Sequence, residues 1–324
     1  MSRTIYKIAE YVLTFFFIIT LNFFLPRFMP GDPFTFLSSD AGDVTVTCSQ
    51  AQIDRYKSYY GLDLPLKDQY LHYIGNLFTG DIGYSIYYND DVVRIIGNRA
   101  CWTVMLVVVS LILSGIIGTI IGSLSAWFRG RLFDRAAYLF LVGFSEIPAF
   151  LTGLVLLFVG GAWLGWFPLS GGIRPFTEFS SVISRTADII HHAILPVLAM
   201  VLTRLGDFYL LSRSSMLTVL SRDYMRTAKG KGLSKPRILF GHALRNAAIP
   251  VVTRLFLSLG TIFGGAVLVE NVFNYPGIGR LMREAVMVRD YVLIQGIFIF
   301  VALSVLSMNL IADILIRKMD PRIG

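Results

Sequence analysis

Apolar residues run through this chain in long uninterrupted blocks, without the regular polar face of a water-exposed helix or strand. Ala100 to Phe128 holds no Asp, Glu, Lys or Arg in 29 residues, and Tyr291 to Ala312 holds none in 22. A helix needs about 20 apolar residues to cross a bilayer core, so both blocks predict spanning helices. Four less pure blocks, Ile8–Phe28, Ala136–Gly160, Ile189–Leu211 and Ala248–Val269, complete the pattern. The expectation is an all-α integral membrane protein of six transmembrane helices. The first block is read as a span and not a signal peptide, because "RFMPGDP" follows it where an A-x-A-like cleavage site would stand.

The polar stretches between the blocks differ in kind. Residues 29–101 carry turn signals at Pro30-Gly31-Asp32-Pro33 and Gly80-Asp81, around a Tyr-rich middle spaced for short amphipathic helices lying on the membrane or on the bundle. That segment is too small to be an enzyme domain. Residues 213–247 are dominated by basic side chains. From Arg222 to Asn246 there are eight Lys, Arg or His residues against one acid, Asp223.

Composition agrees with the blocks. The 324 residues are 55% hydrophobic and 15% charged, with a mean hydropathy of +0.64. A soluble domain carries about 25% charged residues, so this chain lacks the polar surface for one. The net charge of +8 is distributed unevenly. Both termini with 128–135 and 213–247 hold 16 Lys/Arg and three acids (Asp134, Asp223 and Asp320), whereas 29–101, 161–191 and 270–290 hold 10 basic and 14 acidic residues. The positive-inside rule places the first set in the cytoplasm. Topology therefore explains the basic loop without a nucleic-acid partner.

Within the spans, Ser110, Ser114, Gly118, Gly122 and Ala126 form a ladder of small residues at every fourth position. In lipid, helices associate through close van der Waals packing, and such a ladder is a packing face. Gly260 and Gly264 repeat the idea in the fifth block. Ionisable residues at membrane depth are Glu10, Glu146, Arg204, Asp207, Arg254 and Asp313. Arg204 and Asp207 share one helical face and form a candidate intramembrane pair. Glu146 lies just before Pro148, where a helix loses a backbone hydrogen bond. Glu10 and Asp313 lie near span ends, where snorkelling accounts for them.

No catalytic or cofactor pattern accompanies these features. There is no GxxxxGK[ST] phosphate loop, GxSxG elbow, HExxH or CxxC pair. Cys48 and Cys101 are the only cysteines; both fall on the outer side, free to pair or to remain thiols. His191 and His192 read as residues of a span entrance. The expectation is a protein that is not an enzyme and holds no metal or cofactor of its own. A membrane bundle without its own energy source uses a gradient, conducts passively or borrows energy from a partner. A secondary transporter or channel is the alternative reading, but inverted repeats or buried ion ligands, its usual marks, are not evident.

The residues of the basic loop select among these. Gly230 and Gly232 permit a tight turn or close approach, and Pro236 can open a new helix. "DYMRTAKGKGLS", from Asp223 to Ser234, resembles the cytoplasmic coupling segment of permease subunits from dipeptide, oligopeptide and nickel ABC importers. The wider permease class carries E-A-A-x-x-x-G there; the matching positions here are Arg226, Thr227, Ala228 and Gly232. Arg226 replaces the acid, and "HALRN" stands where many classes carry Leu-Pro; both departures resemble the peptide/nickel subgroup. "MPGDP" (29–33), "YGLDLPLKDQY" (60–70), "GDIGYS" (80–85), "IPAFLTG" (147–153), "ILPVL" (194–198) and "ENVFNYPGIGRL" (270–281) continue the resemblance over almost the whole chain.

The resemblance implies a type I ABC importer permease fold and a place as the first of two paired permeases in a bacterial or archaeal cytoplasmic membrane. The implied partners are a second homologous permease, two cytoplasmic ATPase subunits that bind the ATP, and an extracytoplasmic solute-binding protein. The chain would then be one transmembrane domain, with 29–101 facing the binding protein and 213–247 as the cytoplasmic coupling loop. Asp223, Arg226, Thr227, Ala228, Gly230 and Gly232 would meet an ATPase. Short peptides are the first expectation for the solute, nickel or a metal chelate the second. The charge asymmetry yields a first test. In a background lacking Cys48 and Cys101, Ser221→Cys and Ser58→Cys are expected to label from opposite sides of the membrane; labelling of both from outside overturns the topology.

Overall fold

The computed structural model describes residues 2–28, 63–85, 87–234, 237–259 and 262–319. Nearly all of the ordered secondary structure is helical. The described residues group into two compact units, one drawn from Met1–Ala100 with Arg280–Leu306, the other from Cys101–Gly279 with Ser307–Gly324.

The first unit opens with α1 (Ser2–Phe28) and α2 (Leu66–Thr79). They are clasped by aromatic and polar side chains. The Phe23 ring meets Tyr70 edge-on at 5.1 Å, Arg27 sits 3.6 Å over the Phe23 ring, and the same guanidinium donates twice to Gln69 Oε1. Gly80 ends α2 in the left-handed region at φ +80°, where a residue without Cβ is strain-free. A two-residue antiparallel ribbon follows, β1 (Tyr84–Ser85) with β2 (Asp90–Asp91). It leads into α3 (Val92–Trp127), which carries on into the second unit. Asp290 caps α11 (Tyr291–Met319) by accepting from Leu293 N at 3.0 Å, and its other oxygen accepts from Ser85 Oγ at 2.5 Å. Burial raises the Asp290 carboxyl above the usual carboxylate range, against the bonds from Ser85, Leu293 and Val292.

The second unit holds most of the remaining helices: α4 (Leu132–Ser145), α5 (Ala149–Leu156) with a π-helical continuation (Leu157–Trp163), and α6 (Val182–Leu220). Beyond them lie α7 (Asp223–Gly230), a second π-helical segment (Arg237–Leu244), α8 (Arg245–Leu259) and α9 (Ile262–Val272). The short α10 (Ile278–Met287) begins here. The third block, expected as one span that loses a hydrogen bond at Pro148, is instead two helices: α4 and α5 bend by 101° there, where Pro148 supplies no N–H. Ser181 starts α6 with a reciprocal cap, its hydroxyl accepting from Ser184 N while Ser184 Oγ accepts from Ser181 N.

Three helices are long and apolar enough to cross a bilayer: Val92–Trp127, Val182–Leu220 and Tyr291–Leu315. The bent α4–α5 pair passes the same test jointly, and Ala9–Phe24 of α1 is a shorter apolar stretch. The fifth expected block is occupied by α8 and α9, with 260–261 between them outside the described residues. The unbroken helices are longer than the apolar blocks that predicted them. At 39 residues, α6 extends about 58 Å, so about half of it projects beyond a bilayer core of roughly 30 Å.

The small-residue ladder of α3 packs against α6, as the spacing implied. A Cβ on Gly118 would lie 2.6 Å from Phe208 Cβ, and one on Gly122 would lie 2.5 Å from the Tyr209 carbonyl oxygen. Ser110 and Ser114 are fully buried on the same face, and Ser123 Oγ meets Ser212 Oγ at 3.1 Å. The Gly264 side of the second ladder and Gly260 lie outside the described residues. Gly122→Val is expected to destabilise by about 1–3 kcal/mol or more, because it forces a side chain into backbone. Gly143→Ala in α4, where a Cβ meets nothing within 4 Å, is expected to leave the melting temperature of the detergent-purified protein nearly unchanged.

Candidate functional site

The segment that carries the expected coupling residues is built on the far end of α6. Two backbone bonds make the turn, Arg222 N to Val219 O at 3.1 Å and Met225 N to Arg222 O at 3.0 Å, and α7 begins at Asp223. Among the described side chains of this helix, one is buried in the unit. Met225 is fully buried in a cluster with Ala126 of α3, Met216 of α6, and Ile238, Leu239, Ala243 and Ala247 of the segment that follows. Leu217, Leu220 and Leu233 close over it. The other described positions of α7 face outward: Asp223, Tyr224, Thr227 and Gly230 are exposed. Asn246 Nδ2 donates to the Tyr224 hydroxyl at 3.4 Å, and Thr227 Oγ1 donates to Asp223 O at 3.3 Å.

The end of α7 explains its glycines differently. Lys231 N donates to Thr227 O at 3.0 Å, closing the last turn, and Gly232 then takes φ +72°. No atom would lie within 4 Å of a Cβ on Gly230 or Gly232. Gly232 is therefore required by the backbone's left-handed turn and by no neighbour among the described residues. Arg226 and Ala228 occupy backbone positions in α7, and their side chains lie outside the described residues, as does Pro236. The helix expected after Pro236 does begin at Arg237, in π-helical form.

Other sequence candidates are placed singly. Arg204 is half-buried and Asp207 exposed on α6, and no hydrogen bond or ion pair joins them among the described residues, although their charges interact at longer range. Glu146 and Arg254 are exposed. Cys101 is a free, exposed thiol, and Cys48 lies outside the described residues. His191 Nε2 lies 2.9 Å from Trp166 O, and His192 Nδ1 lies 2.8 Å from Asp188 O, so both rings are tied to backbone carbonyls.

The block "ENVFNYPGIGRL" hides an arrangement that spacing did not reveal. Glu270 is fully buried; its Oε1 accepts from Thr103 Oγ1 at 2.6 Å and its Oε2 from Gly279 N at 2.6 Å. Thr103 Oγ1 in turn accepts from Ile278 N at 2.8 Å. The carboxylate and the hydroxyl thereby fill the first N–H groups of α10, where the helix dipole favours negative charge. A Cβ on Gly277 would coincide with the Glu270 carboxylate, and one on Gly279 with the Val267 backbone, so both glycines are fixed by this cap. The usable sequence signal was an acid eight and nine residues ahead of a Gly-Ile-Gly helix start; its partner Thr103 lies 167 residues away.

Residues 118–324 match the family described as binding-protein-dependent transport system inner membrane component. The chain belongs to this family. It is 36% identical to the di/tripeptide transport system permease protein DppB of Pseudomonas aeruginosa (strain UCBPP-PA14), over 98% of this chain and 97% of the relative. It is 34% identical to the glutathione transport system permease protein GsiC of Escherichia coli (strain K12), over 100% and 99%. A putative peptide permease protein of Brucella suis biovar 1 (strain 1330) is 36% identical over 94% and 92%. The chain is thus a permease of the ABC importer class, a multi-pass component of the inner membrane.

The anchoring of α7 by one methionine makes a local test. Met225→Ala removes a fully buried side chain, a change worth about 2–5 kcal/mol in a packed core. Amide hydrogen exchange in α7 and 237–244 of the permease is expected to accelerate, with α3 and the middle of α6 still protected. Unchanged exchange in α7 would show that another contact holds it.

Proposed function

We propose that this permease is the first of two related subunits that together form the import path for short peptides, driven by two cytoplasmic ATPases and fed by an extracytoplasmic binding protein. In this reading the chain crosses the membrane six times, with α8 and α9 forming the fifth crossing and both termini inside. Residues 213–247 then lie in the cytoplasm and 29–101 outside. The three named relatives support peptides as the substrate class, since their titles name di/tripeptides, glutathione and peptides.

The observation that carries the reading is the two-faced geometry of α7. It is held from below by Met225 and offers Tyr224, Thr227 and Gly230 outward, at the end of a helix far longer than a bilayer. A short helix so mounted fits a cleft on an ATPase. When ATP closes the ATPase pair, each cleft moves, and α7 carries that movement to α6. Bound nucleotide can bias inward- against outward-open states only through such a differential contact. The permease itself contributes position and not chemistry, and the ATP stays on the partner subunits.

Gly232 separates contact from fold. Its Cβ direction is open among the described residues, so Gly232→Glu meets none of them and costs about 1–2 kcal/mol of backbone strain. Gly232→Asn, which tolerates the left-handed region, is the control. In a reconstituted complex, Gly232→Glu is expected to insert normally but to lose bound ATPase or to hydrolyse ATP without taking up labelled di- or tripeptide. Gly232→Asn should transport at close to the wild-type rate, and single changes at Lys229 or Lys231 should be mild. Full assembly and normal uptake in Gly232→Glu would make the loop a topological anchor only. Uptake of nickel in place of peptide would overturn the substrate class and leave the coupling role standing.

A further inference from the structure

Next to the Met225 anchor, four polar side chains from three helices close on one another. Asp134, in the first turn of α4, is 5% exposed. Arg213 of α6 donates from Nε to Oδ1 at 2.7 Å and from Nη2 to Oδ2 at 2.9 Å, the two-pronged fit of a guanidinium to a carboxylate. Ser125 of α3 donates to Oδ1, and Gly130 N, at φ +81° in the turn between α3 and α4, donates to Oδ2 at 2.9 Å. The Tyr209 hydroxyl lies 2.7 Å from Ser125 Oγ. Every oxygen of the carboxylate thus has two donors.

Position gives this cluster its meaning. Ser125 immediately precedes Ala126, and Arg213 stands three residues, one helical turn, before Met216; both Ala126 and Met216 touch the cluster that buries Met225. The apolar cluster alone is non-directional, and side chains within it can slide. A two-pronged ion pair with its carboxylate buried and its guanidinium partly exposed fixes both distance and orientation, and removing the guanidinium leaves an uncompensated buried charge. We infer that Asp134 and Arg213 are positioning residues for energy coupling: they lock the ends of α3, α4 and α6 into one body, so that movement of α7 is transmitted to three helices and not dissipated in one. This rests on the reading that α7 meets an ATPase.

The test uses the assembled importer. Spin labels at Leu132→Cys and Arg222→Cys, both at exposed positions in a background without Cys48 and Cys101, report the separation of α4 from the start of α7. With Asp134 intact, the distance is expected to be the same without nucleotide and in the ATP- and vanadate-trapped state. With Asp134→Asn it is expected to shift or broaden between the two states. Peptide taken up per ATP hydrolysed should fall about tenfold, within the range that single substitutions change coupling, while subunit stoichiometry stays whole. A distance that changes between states with Asp134 present overturns the inference, as does a wild-type uptake-to-hydrolysis ratio in Asp134→Asn. If Asp134→Asn fails to assemble, Ser125→Ala removes one donor only and is expected to lower the same ratio by less; an unchanged ratio there also overturns it. Gly232→Glu in parallel separates the two ideas. Uncoupling by Gly232→Glu but not by Asp134→Asn sinks the joint alone, and normal coupling in Gly232→Glu sinks the reading of α7.

Discussion

The close approach of α3 to α6 sets the geometry of the second unit. Lipid tails are as apolar as leucine, so burying side chains does little to draw two helices together in a bilayer. Contact must come from shape. At Gly122 the two backbones are so near that a single methyl group would meet the Tyr209 carbonyl. That nearness lets Ser212 Oγ donate to Thr119 O at 3.0 Å. It also fixes the relative register of the helices, and register decides everything nearer their common end. Slipping α6 by one residue would turn its faces by about 100° and take Tyr209 from Ser125, Arg213 from Asp134 and Met216 from Ala126 together.

A second regularity concerns where charge is placed. The buried carboxylates stand at helix ends and turns. Glu270 fills the start of α10 with Thr103, and Asp290 the start of α11. Asp188, near the start of α6, takes Arg174 N at 2.8 Å and Arg174 Nε at 3.1 Å. A helix interior satisfies its own backbone, and only its ends present unfilled groups. Acids placed there compensate donors that burial would otherwise leave unpaired, and they pin a loop at the same time. The glycines of these regions, Gly130, Gly277 and Gly279, are present because a carboxylate or a backbone already occupies the space or demands the turn.

The sequence made some of this plain and left the rest hidden, for physical reasons. Helices show as apolar blocks because lipid imposes the pattern residue by residue, and the small-residue ladder shows because its partner needs only closeness. The bend at Pro148 shows because proline acts locally. The π-helical stretches at Leu157–Trp163 and Arg237–Leu244 leave no such mark. Blocks also understate length: α6 extends past Ile189–Leu211 at both ends, since amphipathic turns outside the bilayer need no apolar run. In the basic loop, Gly232 was legible as a turn residue, whereas Gly230 ends the helix itself and Met225 was not legible as the anchor. One methionine in a polar stretch has no periodic partner, and the residues that bury it come from four other elements. Arg204 and Asp207 share a face by spacing, and their charges interact, with no hydrogen bond or ion pair between them among the described residues.

Asp134 shows why charge statistics and charge mechanics must be kept apart. Counted by position, it is one of three acids amid 16 basic residues, and Arg213 is one of those 16. In space the two neutralise each other. Removing the pair takes one residue from each sign and leaves the basic excess unchanged, so the orientation signal does not depend on it. Orientation is a sum over many exposed residues, each contributing a little and each replaceable. The fixing of α4 to α6 near their shared end rests on one guanidinium and one carboxylate, and farther along on Gly206 N donating to Ser145 Oγ at 2.8 Å. The charges that choose the sidedness of the permease are therefore largely separate from those that hold its helices together, and a substitution can alter either without the other.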